Sequence, residues 1–596
     1  MQFSARAMSL LILCLLNAAW GQTPQPLARE NGARLSSVLY FASAEQERTD
    51  RQALHVRVSL MDKEVADCSQ EDLPGQLDRA WDLFAALETH AAYWKVRTLE
   101  DTQDRAAKDS SAEIDADQTV VRSSIEARLR SVPPTEIDSL GKYAYLARTV
   151  QADQAHLLAP DAEQYRSVVT ARVLGDIADS YDALIEQIDK TVGPAARDVA
   201  ERRSRALKQD SEYMDSAPVA ASLLNTLVDV ENRDAVARGF SDAAVRKYDS
   251  LRLTDAMVES MLAAVGTQAD AYRHYQQVLA NRAQKKLGVS AVSPSDLSAA
   301  VSTPTHFAWA EGRALILGAL QPLGQDYVSR FEDLLTPANG RLDLSGGAHR
   351  SPRGTSIAAY DAPVALYVGN YDGTLSKLST VAHEGGHAIH RELMNVSGIP
   401  IYQRTGPHFL NEGYAIFNEL LLLDYAARMA KTRAQREEAL ERFLAKLSLE
   451  LYVSAEETGF ERSLYAANSH GKRLDQNAVD DLYRQSISPF EYWPISKAGT
   501  ARAWMQKSLI FEDPLYLVNY LYAAAVAVAL YEQSGSDPSF AGKYDRLLRR
   551  GFDADPKPLL LSIGIDLSNP DLIASAARLL RTKTDELESL YNADAQ

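Results

Sequence analysis

His383-Glu384-Gly385-Gly386-His387 is the stretch from which the rest of this sequence can be read. On a helix the two imidazoles stand one turn apart on one face, where a single Zn²⁺ can bind both. The glutamate between them then faces a water on the metal and can act as its general base. Glycine at both 385 and 386 weakens a helix by roughly 1 kcal/mol each. That choice implies a neighbour pressed close against this backbone.

The flanks supply the context the motif needs. Pro363 to Val368 predicts a short strand, with proline at its start marking an edge strand. Asn370-Tyr371-Asp372-Gly373 turns the chain, and Thr374 is a good N-cap for a helix that ends before Gly398. The glycine-bearing run from Leu342 to Thr355 reads as a loop.

A catalytic zinc takes three protein ligands and keeps one position for water, so a third ligand should lie downstream. Glu412 is the candidate, inside an apolar helix that continues through Leu423. Glu419 follows two turns later on the same face, placed to hold a ligand histidine from behind; an exposed helix acid is the alternative reading. His390, three residues past His387, is badly placed to complete the same site.

Outside this region the chain is ordinary. It has 596 residues, 46% apolar and 24% charged, enough for a large core. Its periodicity is helical, as in Leu77, Trp81, Phe84 and Leu87, in Val173, Ile177, Leu184 and Ile188, and in Met257, Met261, Leu262 and Val265. Gly193-Pro194 marks a break in the helical pattern. The organisation expected is a signal peptide over 1–21, an N-terminal helical region over 22–205 and a catalytic domain over 206–596.

The leader reading rests on Arg6, the apolar run Met8 to Leu16, and the small-x-small Ala19-Trp20-Gly21. Cleavage there removes Cys14, leaves Cys68 as the only thiol, and makes the chain one charge more negative than its full-length −17. So acidic a protein is a poor partner for nucleic acid or anionic membrane. The expected location is periplasmic or secreted, with no stable membrane insertion after cleavage. Oligomeric state is not legible.

From Thr380 to His390 the sequence resembles the zinc helix of the thimet oligopeptidase and oligoendopeptidase F family, including the second glycine and the trailing histidine. Glu412 has that family's spacing for its glutamate ligand, and Glu419 falls where a second acid recurs. Tyr272-Arg273-His274-Tyr275, Lys285 to Val289 and Ser295-Asp296-Leu297 look like the stretch leading into its catalytic region. Ile510 to Tyr520 is similar to its HIFxxPFYYxxY segment, and Gly551 with Leu559 to Asp566 to its closing helices.

The resemblance implies a mostly α fold of gluzincin type, with a deep substrate channel and a small β-sheet beside the metal helix. It implies one Zn²⁺ held by His383, His387 and Glu412, with Glu384 as base and short peptides as substrates cut at internal bonds. It further implies that Tyr516 and Tyr520, one helical turn apart on a shared face, donate hydrogen bonds to the oxyanion, with Tyr522 a weaker third. The strand Val364 to Val368 would pair with the substrate backbone.

Leu509 departs from the family's histidine before Ile-Phe, a role His408 or His470 could take in space. Two other functions stay open. One is a dipeptidyl carboxypeptidase resembling angiotensin-converting enzyme, which shares the motif and a downstream glutamate. The other is a catalytically weak zinc- and peptide-binding protein.

Overall fold

The computed structural model describes residues 33–193, 199–299, 301–360, 362–469, 471, 473–493 and 502–593. The expected leader and His470 lie outside these residues. Among them no helix is long and apolar enough to cross a membrane.

The apolar stripes lie on long helices. Leu77, Trp81, Phe84 and Leu87 are buried along one face of Leu73–Glu100. Ile177 and Ile188 are buried on Pro160–Val192, with Val173 and Leu184 half-buried beside them. Met261 and Val265 are buried on Asp255–Thr267, flanked by Met257 and Leu262. Each such side chain contributes roughly 1.5–3 kcal/mol on leaving water. Gly193, at φ 86°, ends the helix Pro160–Val192.

Two cores matter for the site. One groups side chains between Val58 and Val150 with Ile401. The larger one gathers side chains from Ile177 through Tyr591, and the metal-motif helix is buried in it. A small cluster ties the N-terminal helices to the sheet, in which Ala92 and Val96 pack on Ile357, Ala365 and Tyr367. Through it, Leu73–Glu100 forms a wall beside the motif.

The sheet has three strands, β1 (Leu342–Asp343), β2 (Gly354–Ile357) and β3 (Ala365–Val368), in the order β1-β3-β2. β1 runs parallel to β3 and β2 antiparallel. Two expectations are corrected here. Residues 342–355 are not all loop, because they hold β1 and the start of β2. The strand expected at the edge is instead central. Pro363 precedes it and takes no ladder bond, and all four residues of β3 are buried, as a strand covered on both faces requires. A substrate therefore cannot pair with β3.

Thr374 caps the next helix, Leu375–Val396, its side chain accepting from the Lys377 amide at 3.3 Å. Gly398, at φ 65°, turns the chain beyond it. Two further helices, His408–Met429 and Val518–Ser536, pack closely because Gly413 leaves room: a Cβ there would lie 3.0 Å from Val526. Arg433–Ser448 continues through a π turn, Leu449–Val453, into Ser454–Asn468.

Candidate functional site

The helix Leu375–Val396 presents His383 and His387 side by side, ring centroids 4.9 Å apart. Its two glycines explain the packing around it. A Cβ on Gly385 would stand 2.2 Å from Phe331 Cζ, and one on Gly386 would stand 2.7 Å from Asn418 Nδ2 and 3.4 Å from the Ala415 Cα. The helix His408–Met429 can thus lie against the motif and bring Glu412 to it.

His383, His387 and Glu412 each place one ligand atom within 4.8 Å of the others. The His383 Nε2–Glu412 Oε2 distance is 3.4 Å, and His387 Nε2–Glu412 Oε1 is 3.7 Å. Zinc held tetrahedrally at its usual bond lengths needs ligand atoms about 3.4 Å apart. The donor set and its spacing fit that ion.

His383 is oriented from behind. Its Nδ1 lies 2.7 Å from Glu419 Oε1, whose other oxygen accepts from Ser379 Oγ at 2.6 Å. Lys446 Nζ sits 2.9 Å from the same Glu419 oxygen and 3.3 Å from Glu450. Burial opposes ionisation of Glu419, but Lys446, His383 and Ser379 outweigh it and hold its carboxyl at about 2. A carboxylate can only accept, so His383 donates through Nδ1–H, and Nε2 is the atom it turns towards Glu412 and a metal.

Glu412 behaves alike. Burial is again overcome, here by the His383 hydrogen bond and the charges of His387, His383 and His408, and its carboxyl is held at about 2. His390 lies elsewhere, buried edge-on to Tyr414 and Phe552, with burial holding its pKa down at about 3.

Glu384 stands clear of the ligand set. Its Oε2 accepts from the Ser356 amide of β2 at 3.0 Å. β2 comes this close because residue 354 is glycine, where a Cβ would lie 2.5 Å from Thr380 Cγ2.

Tyr516 and Tyr520 flank the site, their ring centroids 5.5 Å apart, and both feel the charge of Glu412. They do not share the helix face that their spacing predicts. The helix starts only at Val518, so Tyr516 lies in the preceding turn, where Leu515 adopts φ 60° and donates its amide to buried Glu461 at 2.7 Å. Tyr522 points into the core against Phe409, its hydroxyl without a hydrogen-bond partner among the described residues.

His408 lies beside the site, its ring 6.2 Å from Tyr516. Leu509 opens a short helix, Leu509–Glu512, and is half-buried. Sequence reasoning missed Lys446, Ser379 and the Ser356 amide. Only Ser379, one turn before His383, carried a local signal.

A helical fold carrying two histidines and a glutamate at metal-binding distance, with a spare glutamate beside them, defines a metallopeptidase. Residues 341–579 match the model of peptidase family M3. Oligoendopeptidase F of Lactococcus lactis subsp. cremoris is 22% identical over 76% of this chain and 78% of its own length.

Among solved structures, a putative peptidase from Chlamydophila abortus superposes with a TM-score of 0.79 at 18% identity, covering 95% of this chain and 100% of that one. Oligoendopeptidase F from Enterococcus faecium gives 0.64 at 16%, covering 92% and 100%. Residues 341–579 are thus similar to peptidase family M3, and the chain as a whole is similar to oligoendopeptidase F proteins in sequence and fold.

Proposed function

We propose that this protein is an exported, zinc-dependent oligopeptidase that hydrolyses internal bonds of short peptides. The convergence of His383, His387 and Glu412 beside a non-ligand Glu384 carries the reading. Zinc at those three residues would acidify a water and polarise the scissile carbonyl.

The chain's own residues do the rest. Glu419, braced by Ser379 and Lys446, fixes the His383 ring and its tautomer. Glu384, steered by the Ser356 amide, takes the proton from the attacking water and returns it to the leaving amine. Tyr516 and Tyr520 stay protonated, since burial pushes both phenols up, and they donate to the developing oxyanion. The outer edge of β2 runs next to Glu384, and a peptide pairing there would replace the bonds that Ser356 makes to Glu384 and Lys95. The leader-like residues 1–21 support export.

Glu384→Gln should retain zinc yet lose about 10²–10⁴-fold in turnover of a quenched fluorescent peptide. Turnover equal to the wild type would remove the base assignment. A peptide blocked at both ends tests internal cleavage, because an obligate exopeptidase leaves it intact.

A further inference from the structure

Two cations beside the motif have no part in the reaction just described. Lys95, on the helix Leu73–Glu100, reaches the outer edge of β2, where its Nζ donates to the Ser356 carbonyl at 3.0 Å. The amide of the same residue donates to Glu384. In a strand the N–H and C=O of one residue point the same way, so Lys95 and Glu384 face each other across one peptide edge. Arg391 lies seven residues past Glu384 on the motif helix, a step that returns it to within about 20° of the same face.

Neither cation forms an ion pair with a described residue. The acid whose charge Arg391 feels is Glu88, and the one Lys95 feels is Glu384. Burial pushes the Glu88 carboxyl upward, against the pull of Arg391, Arg404 and Arg122, which share it. Burial is also the main force lowering the pKa of Lys95, and Arg391 adds repulsion. Yet solvent reaches both, for Lys95 is exposed and Arg391 half-buried.

Such an arrangement runs against the rest of the molecule, whose net charge is −17. Two positive groups that repel each other gain from an added anion, and Lys95 stands one peptide away from Glu384.

We propose that Lys95 and Arg391 form a subsite for a carboxylate of the bound peptide, on the β2 side of Glu384. The proposal builds on the oligopeptidase reading above. Arg391 can take a carboxylate through two parallel N–H donors, and Lys95 adds a point charge from the opposite wall. The carboxylate is either the α-carboxylate of the peptide's last residue or an Asp or Glu side chain. Both satisfy the same chemistry.

The test is a matched peptide set: one neutral sequence with a free C-terminus, the same sequence amidated, and amidated versions carrying Glu at successive positions. Wild type, Lys95→Met, Arg391→Met and Arg391→Lys are compared by kcat/KM. A charged hydrogen-bonded contact gives roughly a tenfold or greater preference. The wild type should therefore favour one carboxylate-bearing peptide over its neutral partner by that factor. The ratio should fall towards one in both Met variants and be only partly kept in Arg391→Lys, which retains the charge but not the paired donors.

Preference that follows the free terminus assigns the α-carboxylate, and preference that follows an internal Glu assigns a side chain. Ratios identical in the wild type and both Met variants overturn the subsite. Fluorescence anisotropy with the Glu384→Gln variant reads the same preference as binding, so a failure of cleavage cannot be mistaken for a failure of the subsite.

Discussion

Replacing Glu419 by glutamine tests whether the residues behind His383 govern the metal. The amide has the carboxylate's shape and keeps one acceptor for the Nδ1–H, so the helix packing stays intact. What disappears is a buried negative charge 2.7 Å from His383 and 2.9 Å from Lys446. His383 becomes a less basic ligand, and loss of such a supporting carboxylate weakens metal binding by about 10–100-fold, or about 1.4–2.7 kcal/mol.

Folding should suffer as well. Lys446 keeps only Glu450, at 3.3 Å, as an ionic partner, so unfolding free energy should drop by about 1–3 kcal/mol. Competition against a chromophoric zinc chelator at fixed pH measures the first effect, and urea denaturation of the metal-free protein the second. Zinc affinity within twofold of the wild type would refute the claim that Glu419 tunes the site.

Other outcomes follow from the packing and the charges. Gly385→Ala places a methyl 2.2 Å from Phe331 in the core; despite a helix gain of about 1 kcal/mol, the net effect should be a loss of about 1–3 kcal/mol, visible as a lower Tm. Tyr520→Phe should cut kcat by about 10–100-fold with little change in Tm, whereas Tyr522→Phe should leave kcat unchanged. Glu461 is pushed up to about 8 by burial, so its contribution to stability is complete below about pH 4.5 and fades as pH rises through 8. Glu461→Gln, which can still accept from the Leu515 amide, should therefore flatten the loss of stability between about pH 4.5 and 8, followed by denaturant midpoints; an unchanged slope counts against the assignment.

Much of this site could be read from spacing, because its chemistry sits on helices whose period is fixed. The step from His383 to His387 and the step from Glu412 to Glu419 each follow from the helical repeat. What could not be read depends on contacts between distant segments. β3 looked like an edge because Pro363 precedes it, but its neighbours β1 and β2 are separate segments of chain. Lys446 reaches Glu419 only because Arg433–Ser448 packs back on the ligand helix. Tyr516 was misplaced on a helix although Asp513-Pro514 just before it already announced a turn.

The two positions that the zinc pattern leaves unspecified are tightly constrained in this chain. Phe331 presses on one and Asn418 with Ala415 on the other, so the ligand-bearing helix has no freedom to roll or slide against its supports. Variation that alters which peptides are cut must then accumulate elsewhere. The wall formed by Leu73–Glu100 is suited to it, because it meets the sheet through a small core of its own and can be rebuilt while the metal cradle stays untouched.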